Sequence, residues 1–461
     1  MIKTPLCLQV SVRYYSHLTG ETRNKKGVEA MIQQTVMPFK LKRTEERMTP
    51  RSGLVLYAEF MKAMGVEEML SMYFPRPGSG RGYGASDYVK PLSLVLYGGG
   101  ETIEDMREIR EDSSLRQAIG VDTIPSSSAT GDWLRRMGRH GGICGMEKVN
   151  DTIVRKVLKK DKGKEYTLIV DPTIIESGKR EARMTYLGCK GYRPVVATLN
   201  ETGITIAYEF KEGNDNGGRV DILKKAFRKM PSDKKIGHVL LDSEYYTNDV
   251  MDYLNTTGAW WFIAVDKDTS VMDAIRAIPE SEWSAFHTRD GIETDRDISE
   301  TVHITGKGKS AFRVIVLRWQ DRQGDLFDDM YRYHCIATNA TEGSAENVIW
   351  HYNERAHIEN HIKEIKSGFG MDRLPSGDFY GNAVHFGIGI MTYNLFIAQK
   401  LLTMHEGWKR KTIKSVRWLL VEVAGKLIKH GRQKVLKIAV GLEKYRIYLE
   451  MRRRTYELSL E

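Results

Sequence analysis

The runs EYTLIVDPT (165–173) and KKIGHVLLDSEYY (234–246) are apolar through their middles, and each then stops at an aspartate, Asp171 and Asp242. An apolar run of this length, bounded by turn-forming residues, reads as a strand covered on both faces. A carboxylate at the C-terminal end of such a strand lies at the rim of the sheet, where α/β folds gather their sites. Each aspartate alone also suits a plainer role, capping the turn that follows it. As a pair on strands of one sheet they repel each other and favour a hard cation such as Mg²⁺ between them.

The surrounding sequence extends this sheet. GYRPVVATLN (191–200) and ITIAYEF (204–210) read as two further strands, closed by the turn EGNDNGG (212–218) and a helix near 219–229. A helix over 247–255 leads to the strand AWWFIAV (259–265). The result is a mixed α/β core with three strands before the first crossover helix. Residues 268–345 alternate strand-like runs, such as SAFRVIVLRW and YRYHCIATNA, with polar turns, and read as a β-rich insertion.

Upstream, GLVLYAEFMKAMGVEEMLSM (53–72) has helical periodicity, PRPGSGRGYG (75–84) breaks the chain, and 86–98 and 102–110 read as two more helices. TIPSSSATGDWLRRMG (123–138) supplies Ser/Thr caps and a short helix with Trp133, Arg135 and Arg136. Helix pairs with short turns suit DNA docking and plain bundles alike. Downstream of 409 the tail is basic, with stretches such as VRWLLVEVAGKLIKH (416–430) read as amphipathic helix.

The segment YNERAHIENHIKEIK (352–366) carries the sharpest local pattern. Tyr352, Arg355, Glu359 and Lys366 stand at offsets 0, 3, 7 and 14. On an ordinary α-helix these fall within an arc of about 60°. One face thus carries an acid that completes a metal site with the two strand aspartates, and two cations suited to phosphate. A solvated face with internal ion pairs is the plainer alternative. His357 and His361 have the spacing of a zinc pair but lie opposite Glu359, so they read as structural or surface residues. Glu354 and Glu364 read as surface charges.

Composition narrows the classes. The chain has 461 residues, 41% hydrophobic and 28% charged, which is a folded chain rather than a disordered one. Four widely spaced cysteines with no CxxC pair exclude a disulfide scaffold and a structural zinc. No apolar run reaches 18 residues, and the reading is of a cytoplasmic protein without a membrane span, which the resemblance described below would place on the nucleoid. The net charge of +10 is uneven: residues 1–60 contribute +5, residues 401–461 contribute +9, and the middle sums to −4. The basic ends are candidates for DNA backbone contacts.

Taken together, these motifs resemble the DDE transposases of bacterial insertion sequences, in the IS4-like superfamily and most closely its IS1380 group. Tyr352, Arg355, Glu359 and Lys366 match the superfamily's Y-x2-R-x3-E-x6-K signature, and Asp171 and Asp242 match its first two acids. The likeness extends to GYRP, to the Gly213–Gly217 turn and to NAVHFGIGIMTYNL with Asn382 and Asn394, and spans roughly 40–440. It departs at Leu240-Leu241-Asp242-Ser243-Glu244, where many relatives have an Arg-Ala-Asp-Ser-Gly-like motif. Glu244 is expected to point away from the site. The first 30 residues match no known pattern and read as an extension preceding a start at Met31.

The resemblance implies a ribonuclease-H-like core in which Asp171, Asp242 and Glu359 bind two divalent ions, Mg²⁺ with Mn²⁺ as a substitute. Water would cut a phosphodiester at the element end, and the exposed 3′-OH would attack target DNA directly; some relatives use an intermediate hairpin step, an alternative the resemblance leaves open. Arg355 and Lys366 would grip phosphates, and Tyr352 would position one through its hydroxyl. The implied partners are double-stranded DNA, as terminal inverted repeats and as target, and a second copy of the chain on that DNA. A metal-dependent endonuclease without strand transfer and a non-catalytic DNA-binding protein are the alternatives. The expected layout is a peripheral basic segment (1–45), a helical, DNA-binding domain (46–155) and the first part of the core (156–267). The β-rich insertion (268–345), the rest of the core with the glutamate helix (346–405) and a basic helical C-terminal region (406–461) follow.

Overall fold

A computed structural model describes residues 42–78, 82–306, 308, 310–320 and 331–460. The peripheral segment expected over 1–45 lies outside these residues apart from 42–45, and so does the extension before Met31. The chain divides into a unit Met1–Glu46, in which the Glu46 amide donates to Thr44 Oγ1 (3.2 Å), and a compact unit Arg47–Glu461.

The second unit begins with seven helices: α1 (Leu54–Ala63), α2 (Val66–Tyr73), α3 (Ala85–Gly98), α4 (Met106–Glu111), α5 (Ser113–Ile119), α6 (Ser127–Arg139) and α7 (Gly142–Lys160). Ser126 caps α6 by accepting from the Ala129 amide, as the Ser-rich lead-in requires. Trp133 of α6 is buried and stacks on Tyr88 of α3 at 4.8 Å between centroids.

The mixed sheet follows. Its strands are β1 (Glu165–Pro172), β2 (Val195–Leu199), β3 (Thr205–Glu209), β4 (Lys235–Leu241), β5 (Trp260–Ala264), β6 (Ser284–His287), β7 (Glu293–His303), β8 (Phe312–Gln320) and β9 (Tyr331–Thr338). They hydrogen-bond in the order β6-β7-β8-β9-β5-β4-β1-β2-β3. Each of the first three is antiparallel to the next. Helix α8 (Arg219–Lys229) then crosses to β4, parallel to β1, and α9 (Asn248–Asn255) crosses to β5, parallel to β4. The β-rich insertion does not stand apart: β9 adds antiparallel to β5, and β8, β7 and β6 continue the same sheet outward.

Beyond the sheet lie α10 (Ala345–Asn353), α11 (His357–Lys363) and α12 (Phe379–Thr403). Helix α12 is apolar nearly all round and is buried along most of its length, so it serves as the spine on which α3, α6 and α7 pack. The helical region upstream of the sheet is therefore part of the same compact unit. No helix among the described residues is long and apolar enough to cross a membrane.

Two expectations change here. The tail was read as helical through GKLIKH, but Gly425–His430 and Gln433–Ile438 are strands, β10 and β11, paired antiparallel and joined at Gly431 with φ +59°. Only Leu442–Ser459, α13, restores a long helix. The reason is local. GKLIKH-GR-QKVLKI alternates about a Gly-Arg turn, and Met48–Thr49 offers a partner edge to β10. The glutamate helix is also not one regular helix, because a 3-10 turn (Glu354–Ala356) and a π-turn (Glu364–Gly368) interrupt it.

The asparagines of α12 have structural work. Asn394 accepts from the Thr205 amide (2.9 Å), donates to the Thr205 carbonyl (3.0 Å) and donates to Asn150 Oδ1 (3.2 Å), so its amide completes the edge of β3 as a neighbouring strand would. Asn382 spans Ser376 in the same two-way manner. Replacing Asn394 by Ala strands a fully buried backbone pair, and chemical denaturation is expected to show a loss of about 3 kcal/mol. An unchanged midpoint would contradict that role.

Candidate active site

Parallel pairing of β1 with β4 aligns Val170 with Leu241, so the next residue after each, Asp171 and Asp242, stands at the same rim of the sheet. Both carboxyls are well covered. Burial pushes Asp171 up to about 6, with Arg355 pulling it back and the charges of Asp242 and Glu359 adding to the rise. Burial likewise raises Asp242, followed by the charge of Glu244, against Arg355 and Arg193. Asp242 also fills the plainer role, capping the next turn by accepting from the Glu244 amide (3.2 Å).

Three residues of the helical segment fasten it to these two strand ends. The Tyr352 hydroxyl donates to the Leu241 carbonyl (3.1 Å), one residue before Asp242. Arg355 Nη1 donates to Asp171 Oδ1 (3.0 Å). Lys366 Nζ donates to the Ile174 carbonyl (2.6 Å) and reaches Thr173 Oγ1 (3.4 Å), just after Asp171. Glu359, exposed on α11, lies within the span these three fix. The spacing seen in the sequence thus corresponds to contacts with both acid-bearing strands.

The placements differ in detail from the roles expected. Tyr352 is buried, burial pushes its phenol up to about 12, and its hydroxyl is engaged with backbone rather than facing solvent. Arg355 and Lys366 also have protein partners. Glu364 is not a surface charge: the π-turn directs it inward, where it accepts from the Ile413 amide (2.6 Å), and burial raises its carboxyl against the pull of Lys400. His357 shares a hydrogen bond with Asn200 Oδ1 (3.0 Å), and His361 with the Tyr393 hydroxyl (2.9 Å). Trp261 is buried and donates to Asn255, whereas its neighbour Trp260 is half out of the opposite face.

A hub around Arg193 escaped the sequence reading. Its guanidinium forms an ion pair with Glu244, donates to Asn216 Oδ1 (3.1 Å) and meets the Asp215 carbonyl (3.3 Å). Arg219 approaches Glu244 from the other side at 3.5 Å. GYRP, the glycine turn and LLDSE, three motifs far apart in sequence, therefore meet at one cation. Glu244 is held there by two guanidinium groups while its own amide holds Asp242. The only sequence signal was the charge of Glu244, which implies a nearby cation.

The donors at this rim are carboxylates, the oxygen chemistry that a hard divalent ion takes, and their mutual repulsion is what such an ion relieves. Among the described residues, however, no three His, Cys, Asp or Glu side chains are gathered tightly enough to hold an ion, and Arg355 supplies the positive charge beside Asp171.

The family model described as Transposase DDE domain group 1 matches residues 35–458. No curated protein matches the chain. Among solved structures, the cryo-EM structure of the piggyBac transposase synaptic complex with hairpin DNA aligns at TM-score 0.45 and 11% identity, over 80% of this chain and 79% of that one.

Replacing Arg193 by Ala leaves Glu244 without its buried partner. Urea denaturation is expected to show a loss of roughly 3 kcal/mol, part of which returns when Glu244→Gln is added. Equal stability of the single variant and the wild type would contradict the hub.

Proposed function

The chain belongs to the Transposase DDE domain group 1 family, and from that membership we propose that it cuts the ends of its own DNA element and joins them to target DNA by a DDE mechanism. The observation that carries the reading is the triple fastening of the Glu359 helix to the strand ends bearing Asp171 and Asp242. It also rests on the strand order, with three antiparallel strands followed by two parallel ones, as a ribonuclease-H-like core requires.

In this proposal Asp171, Asp242 and Glu359 would hold the divalent ions, Mg²⁺ or Mn²⁺, once drawn closer together than they stand here. Such ions, when bound, lower the pKa of attacking water and stabilise the leaving 3′ oxygen. The protein's own residues do the rest. Tyr352 holds the backbone before Asp242 and so aims that carboxylate. Arg193, through Glu244, holds the backbone just after it. Arg355 neutralises Asp171 and would offer its remaining guanidinium donors to phosphate. Lys366 fixes the segment after Asp171 and presents its ammonium to the same backbone.

The substrates are duplex DNA, first as terminal inverted repeats and then as target, with two copies of the chain on a pair of ends. The helical segment 46–155 is a DNA-docking element in this scheme, joined to the core through α12.

Asp171→Asn, Asp242→Asn and Glu359→Gln are each expected to lower end cleavage by at least 100-fold while leaving end binding near wild type. Wild-type cleavage by any one of them removes that residue from the site. Lys366→Ala is expected to lower the slope of log affinity against log salt by about 0.9, with the greatest loss at low salt. An unaltered slope would argue against its phosphate contact.

A further inference from the structure

The basic tail is not uniformly available to a partner. On α13, Arg452 pairs with Glu59, Arg453 with Glu450 and Glu457, and Arg454 with Glu450, so much of that helix's charge is compensated within the protein. The β10–β11 ribbon differs. Residues 423–442 hold Lys426, Lys429, Arg432, Lys434 and Lys437 and no acid. Lys429, Arg432, Lys434 and Lys437 are exposed, and among the described residues Lys429, Arg432 and Lys437 have no carboxylate partner.

The ribbon also carries a feature that folding alone disfavours. Lys426 lies directly across from Lys437, and Lys429 from Lys434. Like charges opposite each other in an antiparallel pair weaken it. At the Lys429–Lys434 pair, where Lys434 has a backbone carbonyl as its partner, no carboxylate among the described residues offsets that repulsion, and something negative lying along the ribbon would. Its base is fixed: Gly425 and Leu427 are buried, Met48–Thr49 pairs with β10, and Lys434 Nζ donates to the Gln117 carbonyl on α5 (3.1 Å). Its tip, His430–Gln433, is fully exposed and turns at Gly431, whose positive φ a two-residue turn needs.

We propose that this ribbon, Gly425–Ile438, is a grip for duplex DNA, with Lys429, Arg432 and Lys437 meeting phosphates and the His430–Gln433 tip entering a groove. A two-stranded ribbon has the width a major groove admits, and cations on both strands suit phosphates along the groove's walls. Gln433 at the tip carries a side chain that can read base edges. The proposal rests on the DNA reading above and adds the surface that makes the contact.

The test uses the full chain and a fluorescent duplex drawn from the DNA flanking its gene, titrated across a salt series, with Mg²⁺-dependent cleavage measured alongside. Lys429→Gln/Arg432→Gln/Lys437→Gln is expected to lower the log–log salt slope by about 2 to 3 and affinity near 0.1 M salt by roughly 100-fold. Its thermal midpoint should equal or exceed that of the wild type, because repulsion is removed. Arg432→Gln alone should lower the slope by about one, and Arg453→Gln on α13 should leave it unchanged. Wild-type slope and affinity in the triple variant overturn the grip, even if cleavage proceeds and the transposase reading stands. Binding lost in the triple variant supports the grip even if the wild type never cleaves. A loss confined to single-stranded RNA, with duplex binding intact, also overturns it.

Discussion

The parallel register of β1 against β4 is the constraint on which the candidate site depends. Because Val170 faces Leu241, two strands separated by a hairpin and a crossover helix reach the rim together, each with a carboxylate as its next residue. A slip of one residue would turn Asp171 or Asp242 to the other face of the sheet, and the buried runs LIV and VLL resist such a slip because they would lose their packing. Everything on the helical side is measured from that rim. Tyr352 finds the carbonyl before one acid, Arg355 the other acid itself, and Lys366 the carbonyl beyond it.

Charge is organised in layers around this rim. Burial raises both strand carboxyls, Arg355 offsets them directly, and Arg193 and Arg219 cancel the one extra acid that the sequence introduces beside Asp242. This explains how a middle region with a net charge of −4 can still face a polyanion. The acids are locally compensated, and the surplus positive charge stands at a distance on the ribbon. The departure at Glu244 thus becomes a structural member of the site.

The strands and their terminal acids were legible because continuous apolar runs ending in a turn have few alternative readings. The spacing of Tyr352, Arg355, Glu359 and Lys366 was legible as a face, and Tyr352, Arg355 and Lys366 reach the two strand ends although a 3-10 turn and a π-turn break the helix. What the sequence hid lies between distant residues. Arg193 meets Glu244 across 51 positions, and nothing local to GYRP announces it. Glu364 reads as a surface acid until the π-turn carries it to the Ile413 amide. GKLIKH fits either period, and the decision belonged to Gly431 and to the edge at Met48–Thr49, a contact hundreds of residues away.

The most direct measurement of the central claim is to incubate the wild-type protein with the DNA flanking its own gene, with and without Mg²⁺, and to map the chemistry of the new ends. A DDE enzyme leaves breaks at the element boundary that carry a 3′-OH and that vanish when the metal is chelated. Tight binding to that DNA with no break in Mg²⁺ or Mn²⁺, or breaks that persist in chelator, would contradict it.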